Sequence, residues 1–157
     1  MKPEIKWFDE VPFIASNEQL NFKELPQRTR EIQDEIKTEA GRELDLPFVR
    51  YITVGNMTTV NVSIGFTTRS LVQDTSFITG HLPAGRYLIF RHMGSYDTLI
   101  DTNRKIQEWA KENNVEFQTE QSGEDEVWVS RLEVYIKGPD NEKDPQQWIT
   151  EVRYLIR

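Results

Sequence analysis

Arg131-Leu132-Glu133-Val134-Tyr135-Ile136-Lys137 separates into two sets of side chains, one apolar (Leu132, Val134, Ile136) and one polar or aromatic (Arg131, Glu133, Tyr135, Lys137). Successive side chains of a strand point to opposite faces, so the stretch is a strand of an antiparallel sheet with two different environments. The apolar set is expected to face helices, which leaves Glu133 and Tyr135 on a helix-free face. The run at 148–156 divides in the same way, with Val152, Tyr154 and Ile156 inward and Glu151, Arg153 and Leu155 outward. If the two strands are neighbours, Glu133, Glu151 and Arg153 gather on one surface beside Tyr135.

Outward from this pair, two helices are legible. Leu25, Thr29, Ile32, Ile36 and Ala40 fall on one stripe, with Pro26 suited to a first helical turn and Gly41 to a stop. The second stripe is Tyr96, Leu99, Ile100, Asn103, Ile106 and Trp109/Ala110, opened by Ser95 as N-cap with Asp97 in the first turn and closed by Asn113-Asn114. Further strands are expected at 5–15, with Pro12 marking an edge or a bend, at 47–54 and 58–68 around Gly55-Asn56, and at 75–82 and 86–92 around Pro83-Ala84-Gly85. Short strand-like runs follow at 115–119 and 127–137, with 121–126 and 138–145 read as loops.

The order strand–helix–strand–strand occurs twice. Thr29-Arg30-Glu31-Ile32-Gln33-Asp34 also aligns with Asn103-Arg104-Lys105-Ile106-Gln107-Glu108, 74 residues further on. The expectation is one α+β domain over 1–157, with pseudo-repeats at about 1–72 and 73–157. The duplicated units would form an antiparallel sheet with two main helices on one face and a ligand groove on the other.

Composition narrows the chemistry. The 157 residues carry 26 acidic and 19 basic side chains, a formal charge of −7, which disfavours a phosphate backbone as partner and favours cations. Without cysteine, and with His81 and His92 as the imidazoles, no metal site, disulfide or cofactor is expected. No apolar run approaches the ~18 residues of a membrane span. The opening Met1-Lys2-Pro3-Glu4-Ile5-Lys6-Trp7 lacks the apolar core of a secretory signal, so a cytoplasmic protein is expected.

Glu133 is the candidate centre of a ligand site. Charged residues on an antiparallel sheet are commonly solvated, but here Tyr51, Trp128 and Tyr135 stand in or beside the same strands. A carboxylate among aromatic rings suits a flat cation, and partial burial would fit it for general-base work. Tyr96 adds stacking surface, and Trp109 packs as core on its helix with an edge available to the groove. Ser95 next to His92 is no nucleophile elbow, because the Gly-x-Ser-x-Gly frame is missing.

Pro83-Ala84-Gly85-Arg86-Tyr87, His92-x-Gly94-x-Tyr96 and Trp109, followed by Leu132-Glu133-Val134-Tyr135, Gly138-Pro139 and Thr150-Glu151-Val152, resemble the signatures of GyrI-like small-molecule-binding domains. That resemblance implies a central ligand cleft and places the family's cation-contacting glutamate at Glu133. Such domains occur at the end of multidrug-sensing transcription activators and as stand-alone proteins similar to a DNA gyrase inhibitor. The sequence leaves no room for a helix-turn-helix domain, so direct nucleic-acid binding is not expected. The resulting expectation is a protein that senses or sequesters a hydrophobic or cationic organic molecule through Glu133, Tyr135, Tyr51, Tyr96, Trp109, Trp128, Glu151 and Arg153. Two alternatives stand beside it: a hydrolase of reactive xenobiotics using Glu133, and a module whose partner is a protein such as gyrase or a regulator.

Overall fold

The computed structural model describes residues 2–54 and 58–157. The chain runs through β1 (Glu4–Phe8), β2 (Val11–Asn21), α1 (Leu25–Ala40), β3 (Leu44–Val54), β4 (Thr59–Thr68), β5 (Ile78–Leu82), β6 (Gly85–Met93), α2 (Leu99–Glu112), β7 (Thr119–Ser122), β8 (Asp125–Trp128), β9 (Arg131–Lys137) and β10 (Ile149–Leu155). Eight strands pair in the order β1-β6-β10-β9-β3-β4-β2-β5, and β7 and β8 form a separate hairpin. Every pairing is antiparallel.

The α+β class, the antiparallel sheet and the two principal helices are as the sequence reading expected. Strand–helix–strand–strand is traversed as β2-α1-β3-β4 and again as β6-α2-β9-β10, with the β7–β8 hairpin set between α2 and β9. The two passes meet at the centre of the sheet, where Phe48, Val49 and Arg50 of β3 lie opposite Val134, Glu133 and Leu132 of β9. The flanking strands cross over: β1 precedes the first pass but pairs with β6 of the second, and β5 pairs with β2 of the first.

Local boundaries follow local chemistry. Pro26 occupies the first turn of α1 and Gly41 caps its end. The expected first strand divides at Asp9-Glu10 into β1, an edge strand, and β2, in which Pro12 lies just before the ladder with β4 begins at Phe13. Ser95 does precede a helical turn, a 3-10 turn at Tyr96–Thr98, but its side chain makes no capping bond and α2 proper starts at Leu99. The 121–126 segment, expected as a loop, is the β7–β8 hairpin, turned by Gly123 at φ 61°. The Gly55-Asn56 turn lies outside the described residues.

The main correction concerns the faces of the sheet. In antiparallel neighbours, directly opposed residues share a face. Val152 of β10 lies opposite Glu133, and Glu151 lies opposite Val134. Val152 and Tyr154 pack with Ile106 and Ala110 of α2, so the helix-facing set of β10 is as expected. For β9 the set is inverted: Glu133 and Tyr135 lie on the helix side, while Leu132 and Val134 turn away from it. Both faces are buried at the centre, which is why alternation could not tell them apart. The sheet curls, bringing Phe13 and Ala15 of β2 together with Tyr87 and Ile89 of β6, and Leu132 and Val134 fill the space between. The centre of the helix-free face is therefore a filled core and not a groove.

Gly65 shows how tightly the curl is drawn. A Cβ there would come within 1.9 Å of the Ile14 carbonyl oxygen and 2.7 Å of the Ala15 Cα, so β2 can bend this closely over its paired neighbour β4 only where β4 has no side chain. Among the described residues, no helix is long and apolar enough to cross a membrane.

Candidate functional site

Glu133 is carried to the middle of the sheet by β9, whose alternation points it toward the helix layer. There it is 5% exposed. The Tyr51 hydroxyl donates to Glu133 Oε1 at 3.1 Å, the Tyr135 hydroxyl to the same oxygen at 3.1 Å, and Asn103 Nδ2 to Oε2 at 3.1 Å. Both ends of the duplicated order contribute: Tyr51 from β3 of the first pass, Asn103 and Tyr135 from α2 and β9 of the second.

Asn103 is fixed in turn. Its amide also donates to the Leu99 carbonyl at 2.9 Å, and its Oδ1 accepts from the Tyr154 hydroxyl at 2.8 Å. Tyr154 receives Gln107 Nε2 at 3.1 Å. A chain of bonds from α2 through β10 thus sets the amide so that its donor end meets the carboxylate. Fully connected polar groups of this kind hold one geometry, because each would be costly to leave unpaired.

Burial dominates the electrostatics. Desolvation raises the Glu133 carboxyl above its ordinary range, opposed by the bonds from Asn103, Tyr135 and Tyr51 and by the charge of Arg131. Tyr51 and Tyr135 are driven well above a normal phenol, first by burial and then by the charge of Glu133. Burial likewise pushes Tyr154 and Tyr96 up to about 12. The tyrosines are consequently neutral donors across the physiological range. Among the described residues no Lys, Arg or His forms an ion pair with Glu133.

Two aromatic groupings flank the carboxylate. On one side Tyr135 meets Tyr96 at 5.3 Å between ring centroids, and Tyr96 meets Trp148 at 4.8 Å. On the other, Tyr51, Trp128 and Tyr154 surround the Arg131 guanidinium. Beyond Arg131 and Trp128 a cavity of about 490 Å³ opens, bordered also by Gln107 of α2 and by Glu124, Asp125 and Glu126 of the hairpin.

The structure thus brings Glu133, Tyr135, Tyr51, Tyr96 and Trp128 into one region. It does not bring in Glu151 and Arg153. Their strand is adjacent, as expected, but they occupy the opposite face, where Arg153 pairs with Glu151 at 2.9 Å and stacks on Phe8 at 4.2 Å. Trp109 is partly buried and packs against the core cluster that α2 forms with β6 and β10. Asn103, Arg131, Trp148 and Tyr154 are the participants that sequence reasoning missed. Asn103 had a signal, a polar side chain inside an otherwise apolar helical stripe. Arg131 shares its strand face with Glu133. Trp148 had no signal, since the loop before β10 brings it to Tyr96.

The family model for the GyrI-like small molecule binding domain matches residues 1–156. Comparison with curated proteins gives no match. Among solved structures, the EcmrR C-terminal domain superposes with a TM-score of 0.78 at 18% identity, covering 99% of this chain and 97% of that one. EcmrR in a complex with DNA gives a TM-score of 0.83 at 16% identity and 99% coverage, and this chain spans 57% of that chain's length. SAV2435 bound to tetraphenylphosphonium gives 0.71 at 11% identity, covering 100% of this chain and 94% of that one. At these identities the likeness is one of fold.

Proposed function

The chain belongs to the family of GyrI-like small molecule binding domains, and from that premise we propose that it captures a hydrophobic organic cation, with Glu133 as the recognising charge. The observation that carries this reading is a buried carboxylate met by three neutral donors and by no ion-pair partner among the described residues. Burying an ionised carboxylate without a counter-ion costs several kcal/mol, and a cation placed against it recovers part of that cost. The aromatic groupings on either side supply faces for a flat or aromatic ligand. Tetraphenylphosphonium, the ligand held by the structurally similar SAV2435, has the same chemistry of a charge shielded by rings.

Capture without conversion of the ligand is the role this arrangement favours. Both Glu133 oxygens already accept hydrogen bonds, which suits a fixed electrostatic receptor. Fluorescence titrations with ethidium, a flat cation, and with Nile red, a neutral dye, test the proposal. Glu133→Gln should weaken ethidium by about tenfold or more, the worth of a charge-assisted contact of roughly 1.5–3 kcal/mol. Nile red should change by less than about twofold. An equal loss for both dyes, or a loss for neither, would contradict the assignment.

A further inference from the structure

Arg131 is an unusual occupant of its surroundings. Its guanidinium carbon lies 4.9 Å from the Trp128 ring centroid, 5.0 Å from that of Tyr154 and 5.2 Å from that of Tyr51. Three ring faces around one positive charge form the kind of box in which proteins hold organic cations. Yet Arg131 is poorly held by hydrogen bonds. Its Nε is buried without a partner, and Nη2 reaches Asn103 Oδ1 only at 3.5 Å. Among the described residues it has no carboxylate partner within ion-pair distance.

An arginine normally offers five donors and loses free energy for each one buried unpaired. Here the rings compensate the charge but not the donors. The cavity of about 490 Å³ beside the guanidinium provides both space and better partners, because Glu124, Asp125 and Glu126 border it and form no ion pair among the described residues.

We propose that Arg131 is the specificity-determining residue of the site: its guanidinium is the resident occupant of the Tyr51–Trp128–Tyr154 box, and an organic cation binds by displacing it toward the acidic edge of the cavity. The proposal rests on the reading of Glu133 as a cation receptor. It adds a selection rule, because a ligand must outcompete a guanidinium already seated on three rings. Small cations with little apolar area, such as free guanidinium or tetramethylammonium, are excluded, and larger aromatic cations are admitted.

Ethidium titrations of Arg131→Met and Arg131→Lys test the exchange. Met removes the charge at similar length, so ethidium should bind about tenfold more tightly, with Lys falling between Met and the native residue because an ammonium stacks less well than a guanidinium. Unchanged or weaker ethidium binding by a folded Arg131→Met protein would overturn the exchange. If native protein and Glu133→Gln bind ethidium equally, the receptor reading fails. If Glu133→Gln weakens binding while Arg131→Met does not tighten it, the exchange alone fails. Should Arg131→Met not fold, the native protein decides by nuclear magnetic resonance. The Nε–Hε proton of Arg131, shifted upfield by the three rings, should return toward the solvated position on adding ethidium. A signal unmoved at saturation would refute displacement.

Discussion

At Glu133 one buried carboxylate accepts from three donors, and the balance between burial and these bonds has a pH signature. Its folded-state pKa is raised, with desolvation as the largest cause. A carboxyl raised on folding contributes its stability below the unfolded value, about 4.3, and loses that contribution as pH rises through the folded value. Glu133→Gln lacks this titration. The stability of Glu133→Gln relative to the native protein should therefore rise between pH 5 and pH 8, as measured by urea unfolding at each pH. A difference that is flat or falls with pH would mean that the carboxyl is not raised. Glu133 was legible as a candidate because it is the single acidic residue of its strand and stands two places from Tyr135. Its burial was not legible, since its protection comes from Asn103 on a distant helix and Tyr51 on a strand of the other pass. The expected placement of Glu151 and Arg153 on the face of Glu133 fails for a related reason. Alternation within each strand was correct, but the relative phase of β9 and β10 depends on register, and a shift of one residue exchanges the faces.

Elements were read more securely than their neighbours. The α1 stripe, the Pro26 start and the Gly41 stop are local signals, and the helix follows them. The hairpin β7–β8 is not legible because Glu120, Gln121, Ser122, Asp125 and Glu126 are polar and exposed and carry no period-two pattern. Ser95 marks a helical start, but the turn that follows is a 3-10 turn and α2 begins three residues on, at Leu99. At Gly65 of β4, directly opposite Ala15 of its neighbour β2, a Cβ would strike the β2 backbone. Gly65→Ala should cost about 3 kcal/mol, the upper end for overpacking, because the obstructing atoms are backbone and cannot rotate away. Urea unfolding would show it, and a loss below about 1 kcal/mol would mean that the strands can separate without cost to the curl.

Across the whole molecule, curling explains how one sheet can be buried on both faces. The helix-free side closes on Phe13, Phe48, Tyr87, Leu132 and Val134, while α1 and α2 cover the other side. No residue-level pattern announces such closure, because it involves pairing the flanking strands β1 and β5 with the opposite pass. The candidate site accordingly lies between sheet and helices, where Glu133 is buried and, among the described residues, has no ion-pair partner. Cation and proton should then compete for one carboxylate. Carbon-13 resonance of the Glu133 carboxyl, followed against pH with and without saturating ethidium, measures that competition directly. The free protein should titrate above the ordinary carboxylate range, and ethidium should lower the midpoint by about one unit or more, matching a tenfold linkage between proton and cation. A midpoint that ethidium leaves unmoved would contradict Glu133 as the recognising charge.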